Sequence, residues 1–542
     1  MRAFLSDRWA PAVAAIATVA YAVAVVGFGL VFRPLHNDEG VTLSVADQPS
    51  VRDVLNTAIS DRHGPPLHYL AVHASLALRD DMLGLRAPSA LFGILAVALA
   101  YGFGRELLGR ACGAVLSVIV ATLPEVVHLA QFARGYTAML AASFGSLWLL
   151  LLLVRTRRAR YVAPYAISAL LLAAAHPFGL FALASEMTLL AVLGLAPLRR
   201  GWRAQRRNVV VLSIAVIAGL AALGLLYRVY SQLQPKYGVG QGGSVVDLSS
   251  AEFWRRIGDA WTGSSQPIVW FVLAAAALAG LVLLWRSDRR AAFILGVWIV
   301  QPVALLSVLT ATSSDFAPER HLSFMIPGYA AALAVFLVEI GRRAGRRGVP
   351  IAIAATVLLV APGVTALSRD IGNFTPDLRN ASLYLGARFE NSDVLLSTGG
   401  VAEPAVDARL YGAYMVLEAR DQDPLSKWHD VGKDTGCNLV QRLEAVPDPR
   451  HAWVVLRSPD PETLAVRLQA TGFDDVAVFG PFVVARHTLH THTVPAALKA
   501  GVRAYKVSHL LSPGTPDFGR LAGIYRLARG YARSGLCPPA SG

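Results

Sequence analysis

The chain has 542 residues, of which 54% are hydrophobic and only 16% are charged. This composition excludes an ordinary soluble globular protein and indicates a polytopic membrane protein. The net charge of +14 is concentrated in short arginine-rich loops between apolar segments. These loops contain about twenty basic residues and only about three acids. Because such a bias marks cytoplasmic loops, the excess charge requires no acidic partner, and we predict no nucleic-acid binding.

Apolar segments of near-spanning length recur along residues 1–368 and predict a polytopic α-helical membrane protein with about eleven spans. The first segment is long for a signal peptide and has no clear cleavage site, so we interpret it as a retained helix. The windows fall near residues 10–32, 88–105, 111–129, 135–154, 161–175, 178–196, 208–228, 266–285, 291–311, 321–341 and 349–368.

These windows place every arginine-rich loop on the same side of the membrane. The bias predicts a multi-pass protein of the plasma membrane with a cytoplasmic N-terminus and an extracytoplasmic C-terminus. Three outer loops are then substantial, at residues 33–86, 230–266 and 312–320. In the first of them, amphipathic segments at 51–60 and 67–78 predict helices that lie in the membrane interface.

The last part of the chain, residues 369–542, mixes polar and apolar residues and predicts a small C-terminal extracytoplasmic α/β domain with a helical tail near 517–533. It carries no recognisable nucleotide-binding loop or metal motif. Cys437 and Cys537 lie in this part, and their spacing alone does not decide whether they form a disulfide. The predicted strands are 393–397, 452–457 and 475–479, and the predicted helices are 461–471 and 495–508.

Two adjacent acids, Asp38 and Glu39, follow the first apolar segment. Neighbouring like charges raise the pKa of at least one carboxyl group, and a low-dielectric membrane surface adds to this effect. A carboxylate adjusted in this way can accept a proton from a hydroxyl group. The alternative interpretation is a solvated pair that caps the next helix.

Histidines and arginines provide further candidates on the predicted outer side. His63 and His68 belong to the same loop as the acid pair, although interfacial histidines bonded to the backbone are an alternative. Arg134 lies in one turn with Tyr136, and Arg320 precedes the tenth window; the guanidinium fork suits a phosphate, whereas snorkelling is the alternative.

Two more side chains complete the candidate set. His176 lies at the outer end of an apolar window, and Glu186, inside a window, is predicted to bond a neighbouring helix. No cofactor is predicted with certainty, and the acids and histidines leave a divalent metal ion open.

The ordered set of motifs resembles the GT-C superfamily of membrane glycosyltransferases. Within it, the set is similar to the dolichyl-phosphate-mannose protein mannosyltransferases and the bacterial lipid A aminoarabinose transferases. The similarity covers about residues 1–340. Its motifs are Asn37-Asp-Glu39, His63-Gly-Pro-Pro-Leu-His-Tyr69, Arg86-Ala-Pro-Ser-Ala-Leu-Phe92, Gln131-Phe-Ala-Arg-Gly-Tyr136, His176-Pro-Phe-Gly179 and Glu319-Arg-His-Leu322.

The resemblance implies a hexosyl or pentosyl transferase that uses a polyprenyl-phosphate sugar donor at the lipid bilayer and inverts the anomeric carbon. In that interpretation, Asp38 is the base with Glu39 beside it, and Arg134 and Arg320 bind the donor phosphate. His63, His68, Tyr136 and His176 would contact substrate, and the acceptor would be a glycan, lipid or protein of the cell envelope. The alternatives are a transporter or flippase, with ionisable groups near the membrane midplane, and a non-enzymatic envelope assembly factor.

Overall fold

The computed structural model describes residues 9–28, 30, 37–60, 65–156, 158–195, 251–312, 319–344, 348–372, 377–390, 392–397, 448–458, 460–480 and 482–511. Several predictions fall outside these residues: the window at 208–228, most of the loop 230–266, the helical tail, His63, Cys437 and Cys537. The chain divides into two compact units. The first draws on residues 1–31, 45–79 and 83–373, and the second on residues 32–44, 80–82 and 374–542.

Helices form almost all of the described part of residues 1–372. They are α1 (Ala10–Phe28), α2 (Asn37–Ala46), α3 (Val51–Ser60), α4 (Pro66–Leu78), α5 (Met82–Leu108), α6 (Arg110–Thr122), α7 (Pro124–Ala130), α8 (Tyr136–Thr156), α9 (Val162–Ala175), α10 (Gly179–Leu195), α11 (Ala251–Thr262), α12 (Pro267–Ser287), α13 (Arg289–Thr312), a 3₁₀ helix (Glu319–Met325), α14 (Ile326–Arg343) and α15 (Gly348–Gly372). The two segments predicted as helices in the first loop are confirmed as the helices α3 and α4, and their location in the membrane interface stays a prediction.

Every predicted window that lies in the described residues coincides with one or more of these helices. Five segments are long and apolar enough to cross a membrane, and α6 with α7 makes a sixth if the bent pair is counted as one span. The chain is therefore a multi-pass membrane protein by the length and composition of its helices. The total of about eleven spans stays a prediction.

Burial separates central from peripheral helices in the first unit. In α8 and in the segment Leu322–Arg343, 78% of the most apolar 18-residue window is buried, against 22% in α1 and 28% in α12. Large apolar side chains on the peripheral helices, such as Ile16 and Phe271, are exposed. Such exposure is unfavourable in water and favourable against lipid, so these faces fit the bilayer.

Close helix contacts in this unit depend on small residues, as is usual between membrane helices. On α12, a Cβ at Gly280 would lie 2.0 Å from the carbonyl oxygen of Ala332 on α14. The absence of that Cβ lets the two backbones meet, and α14 also packs against α6 and α15. Helix α14 therefore lies at the centre of the unit.

The arginine-rich turns of α5 and α8 meet at one end of the helices. Arg155, at the end of α8, forms a 3.0 Å ion pair with Glu106, at the end of α5. Since a helix rises 1.5 Å per residue, this pair lies about 30 Å from Tyr136, where α8 begins. The two turns share a side, as the charge pattern predicts, while the orientation in the membrane remains a prediction.

The window at 111–129 is not one helix, so this part of the sequence prediction is wrong. It forms α6 and α7, whose axes differ by 64°. The break falls at Leu123, which is extended because it precedes Pro124, and a proline disfavours helical geometry in the residue before it. The hydroxyl of Tyr21 on α1 donates a 3.0 Å hydrogen bond to the carbonyl of Val126, which anchors α7.

The second unit contains a four-stranded sheet with the order β1-β2-β4-β3. Strands β1 and β2 are parallel, and β2–β4 and β4–β3 are antiparallel. The elements are α16 (Asp377–Gly386), β1 (Asp393–Ser397), β2 (His451–Arg457), α17 (Pro461–Ala470), β3 (Asp475–Phe479), β4 (Phe482–Thr488) and α18 (Val494–Leu511).

Side chains alternate between two packed faces of this sheet. On β2, Ala452, Val454 and Leu456 join a core with α17 and α18. Trp453 and Val455 join a separate core with α16. Helices thus cover both faces, which confirms the predicted α/β architecture, its three strands and its two helices. The prediction missed β4, because its second half is the polar run Arg486-His-Thr488, which breaks the apolar pattern.

Candidate functional site

The turn between α7 and α8 carries an arginine held in place by two contacts. The Nη1 of Arg134 donates a 3.0 Å hydrogen bond to the hydroxyl of Tyr69 on α4. The hydroxyl of Ser89 on α5 donates a 3.2 Å bond to the backbone carbonyl of Arg134. The guanidinium is therefore held by α4 and the backbone of the turn by α5, and the residue is half-buried.

Gly135 explains how the neighbouring segments approach this turn so closely. A Cβ on Gly135 would lie 2.2 Å from the carbonyl oxygen of Ala175, at the end of α9, and 3.5 Å from the Cβ of His68. Real Cβ atoms do not come within 3 Å of a carbonyl oxygen, so only glycine fits without displacing α9. The turn at 131–135, α4 and the end of α9 thus meet at one point.

A chain of aromatic contacts extends from this point. The ring centroids of Tyr136 and His176 are 4.8 Å apart, and those of His176 and Phe178 are 5.7 Å apart. The chain continues from Phe178 to Phe181 at 5.3 Å and from Phe181 to Phe324 at 6.3 Å. Phe324 belongs to the 3₁₀ helix that also contains Arg320, so this helix joins the same end of α8 and α10.

The acid pair, Asp38 and Glu39, belongs to the second unit. Asp38 and Glu39 lie in the first turn of α2, where the helix dipole favours negative charge. Glu39 is only 1% exposed, so the interpretation as a solvated pair is wrong for this residue. Asp38 is half-buried, and its backbone carbonyl accepts a 3.1 Å hydrogen bond from the hydroxyl of Thr42.

Four of the predicted site residues come together in the first unit. The helix-end cluster comprises His68, Arg134, Tyr136 and His176, with Tyr69 as the partner of Arg134. Of the other predicted residues, Asp38 and Glu39 lie in the second unit, the side chain of Arg320 is outside the described part, and so is His63.

Sequence reasoning gave no role to Tyr69 and Ser89, which bond Arg134, or to the buried Arg86. Arg86 is fully buried, and its Nη1 donates a 3.0 Å hydrogen bond to the carbonyl of Leu30, which ties α5 to the residues after α1. All three lie in segments that carry the family resemblance. A buried arginine in an apolar helix was the available signal, because it is costly unless paired.

A second polar cluster lies further along the same helices. The hydroxyl of Ser146 on α8 donates a hydrogen bond to the carboxyl of Glu186 on α10, and the hydroxyl of Tyr165 on α9 approaches the same carboxyl. All three side chains are buried. This mid-helix cluster confirms the prediction that Glu186 bonds a neighbouring helix. Glu186 lies about 10 Å from the start of α10, and Ser146 about 15 Å from the start of α8.

Solved structures give the fold. ArnT from Cupriavidus metallidurans in the apo state is similar with a TM-score of 0.56 at 15% identity, over 88% of this chain and 97% of ArnT. ArnT bound to undecaprenyl phosphate is similar with a TM-score of 0.54 at 14% identity, over 89% of this chain and 98% of ArnT.

The oligosaccharyltransferase AglB from Archaeoglobus fulgidus, in complex with an inhibitory peptide and a dolichol-phosphate, has a TM-score of 0.50 at 11% identity, over 98% of this chain and 87% of AglB. No family model and no curated protein matches the sequence.

The helices and the structural similarities together identify the kind of protein and its fold. The chain is a polytopic helical membrane protein with a small α/β region near its C-terminus. More specifically, its fold is that of the ArnT and AglB structures, in agreement with the GT-C fold that the resemblance in the sequence predicts.

Proposed function

We propose that the chain transfers a sugar from a polyprenyl-phosphate donor to a cell-envelope acceptor on the outer face of the plasma membrane. The observation that carries the proposal is the helix-end cluster, where a positioned arginine lies beside stacked rings within a GT-C fold. The structures of similar fold include ArnT bound to undecaprenyl phosphate and AglB with a dolichol-phosphate. A glycan, a lipid or a protein remains open as the acceptor.

The donor phosphate is assigned to Arg134, together with Arg320. A polyprenyl tail stays in the bilayer, so its phosphate must lie where the helices end. The hydroxyl of Tyr69 fixes one nitrogen of the Arg134 fork, which orients the guanidinium plane before the ligand arrives. Because the phosphate gains charge as the sugar bond breaks, a preorganised cation stabilises the transition state more than the ground state.

The sugar is assigned to the ring surface of Tyr136 and His176, with His68 and His63 nearby in the sequence motif. Aromatic rings combine a flat apolar face with a polar edge, and a sugar ring presents the same combination. The 4.8 Å contact between Tyr136 and His176 holds both rings at the end of α8, beside the proposed phosphate position.

The base is assigned to Asp38, with Glu39 in support. A carboxylate that takes the proton of the acceptor hydroxyl makes the oxygen nucleophilic, and attack opposite the leaving phosphate inverts the anomeric carbon. Glu39 follows Asp38 in the sequence, is buried, and lies in the first turn of α2, so it is suited to supporting the position of Asp38.

The experiment that tests the proposal is a transfer assay with the purified full chain in proteoliposomes. A panel of polyprenyl-phosphate hexoses and pentoses is supplied with an envelope extract, and release of polyprenyl phosphate is measured with and without EDTA. We expect one donor class to be consumed only when acceptor is present. Failure of every donor in the panel, with a folded protein, would contradict the proposal. The EDTA arm decides whether a divalent cation takes part.

A transporter or flippase is the second candidate, because Glu186 is a buried ionisable group inside apolar helices, where transporters bind ions. It predicts movement of an envelope precursor across the liposome membrane without cleavage of the sugar–phosphate bond. The same proteoliposomes distinguish the two functions, because transfer releases polyprenyl phosphate and transport does not.

A further inference from the structure

Three metal-ligating side chains meet in the second unit, where strands β1 and β2 begin. Glu390, Asp393 and His451 each offer one ligand atom, and these atoms lie within 4.8 Å of one another. Among the residues that the structure describes, this is the one such group of three. No motif marks it in the sequence, because His451 follows Asp393 by 58 residues.

The sheet register brings the group together. Asp393 and His451 are paired across the parallel strands β1 and β2, so their side chains project from the same face. Glu390 is joined to Asp393 by a tight turn, in which the amide of Asp393 donates a 2.9 Å bond to the carbonyl of Glu390. The amide of Arg450 donates a 2.9 Å bond to the carbonyl of Ser392, which continues the strand pairing into the turn.

The carboxylate of Asp393 is oriented as in a metal site. Its side chain is completely buried, and its Oδ2 accepts hydrogen bonds from the indole nitrogen of Trp453 at 2.7 Å and from the backbone amide of Glu390 at 3.0 Å. These two donors fix the carboxylate plane and direct Oδ1 to the Nδ1 of His451, 2.7 Å away. Metal-binding carboxylates are typically held by such a second layer of hydrogen bonds.

The donor set selects the kind of ion. One imidazole nitrogen and two carboxylate oxygens are ligands of Zn²⁺ and related divalent transition metals, whereas Ca²⁺ and Mg²⁺ sites are built from oxygen alone. Two ligands at about 2.1 Å from a tetrahedral ion are about 3.4 Å apart, so the 2.7 Å contact between Nδ1 and Oδ1 must widen by less than about 1 Å for an ion to enter. Glu390 is exposed, so solvent has access to the site.

We propose that Glu390, Asp393 and His451 bind a divalent metal ion of the zinc class, which joins the first residues of β1 and β2. Water completes the coordination shell on the exposed side. Because the ligands come from two adjacent strands and the turn before them, bound metal stabilises this sheet against unfolding.

A second histidine–aspartate pair in the same unit serves as a matched control. The Nδ1 of His492 lies 2.9 Å from an oxygen of Asp448, and the two side chains are 46% and 59% exposed. This pair has a similar contact distance but no third ligand in the group and no buried carboxylate. If a close histidine–aspartate contact were sufficient, both pairs would bind metal alike.

The test uses the untagged full chain in detergent, stripped with a chelator and dialysed against Zn²⁺, or against Co²⁺ to record its visible absorption. We expect the parent and His492→Ala to bind one more equivalent of metal than His451→Ala. Glu390→Gln, at an exposed position that the fold tolerates, should bind at least tenfold more weakly. Trp453→Phe removes the indole donor that orients the Asp393 carboxylate, so its affinity for the metal should fall by about 10–100-fold. Added Zn²⁺ should raise the Tm of the parent and not that of Glu390→Gln.

Two outcomes would overturn the proposal. One is equal metal content in the parent, His451→Ala and Glu390→Gln, which would leave Asp393 and His451 as a structural hydrogen bond. The other is an equal loss of metal in His492→Ala, which would make the binding unspecific. Because metal content is measured directly, neither outcome depends on glycosyl transfer.

Discussion

The helices α8, α9 and α10 carry two polar clusters that differ in kind. At one end, the helix-end cluster contains Arg134 and the rings of Tyr136 and His176, and it is reached from α4 and α5. About 10–15 Å along the helices, the mid-helix cluster contains Glu186 and Ser146 and is closed by its own three helices. Both contain an ionisable residue, yet only the first lies at the helix ends, where we propose that the lipid phosphate binds.

This difference shows that an ionisable residue inside an apolar helix is not by itself a functional site. Glu186 has hydrogen-bonding neighbours on two adjacent helices, so helix packing accounts for its presence. Arg134 instead lies in a turn and is half-buried, and the hydroxyl of Tyr69 orients its guanidinium. We therefore propose that the chemistry takes place at the helix ends and that the polar residues of the helix interior serve packing.

The largest effect is expected from Asp38→Asn, at the start of α2. If Asp38 is the base, amide substitution removes proton acceptance and lowers turnover by about 10²–10⁴-fold. Turnover is measured by release of polyprenyl phosphate from the best donor, with size-exclusion elution as the test of folding. Near-normal turnover by the folded variant would remove Asp38 from the mechanism. Glu39→Gln should be less harmful, and the reverse ranking would exchange the two roles.

Arg134→Lys should lower both donor affinity and transfer, with turnover about 10²-fold slower. Lysine keeps the charge but loses the planar fork that binds a phosphate with two nitrogens. Arg320→Lys should likewise lower donor affinity and slow transfer. Donor affinity is measured with a labelled lipid, and Tyr69→Phe should give a smaller loss in the same direction.

Arg155→Lys is the matched control, since Arg155 lies at the opposite end of α8 and pairs with Glu106. If the Arg134 and Arg320 variants bind donor as the parent does, the phosphate is held elsewhere. The next candidates would then be His63, His176 and Arg62, which precedes His63 in the first outer loop.

Gly135→Ala should destabilise the first unit by about 1–3 kcal/mol, because the new Cβ meets the carbonyl of Ala175 and forces α9 to shift. The measurement is the thermal unfolding temperature in detergent. Gly296→Ala on α13 is the control, since a Cβ there has nothing within 4 Å. Equal unfolding temperatures for the two variants would show that the turn at 131–135 is looser than described.

The smallest effect is expected from Glu186→Gln, which retains a hydrogen-bond acceptor for Ser146. Stability should change by less than about 1 kcal/mol, whereas Ser146→Ala, which leaves the buried carboxyl without this donor, should cost about 1–3 kcal/mol. Thermal unfolding measures both. A large destabilisation by Glu186→Gln would mean that the carboxyl is needed in its charged form, which helix packing does not explain.

The sequence predicted the helices well because their signal is local. Apolar length marks a span, and the strands at 393–397 and 475–479 were predicted to the residue because apolar runs between turn residues identify them. The break at Leu123 was missed, since Pro124 alone does not distinguish a bend from a tolerated first-turn proline.

The candidate site was predicted less completely because its contacts are not local. Arg134 and His176 were chosen from their motifs, but the partner of Arg134 is 65 residues away on α4, which no periodicity reveals. The group of Glu390, Asp393 and His451 was missed altogether, because it exists only once β1 and β2 are paired. Strand register, unlike strand existence, is decided by tertiary packing.

The most direct test of the proposed transfer is a single-turnover comparison of the parent, Asp38→Asn and Glu186→Gln in proteoliposomes with one labelled polyprenyl-phosphate sugar. We expect the parent and Glu186→Gln to transfer the label to acceptor at rates within about threefold of each other, while Asp38→Asn is slower by about 10²-fold or more. If the parent transfers no label, or if Glu186→Gln is the variant that stops, the assignment of chemistry to the helix ends is contradicted.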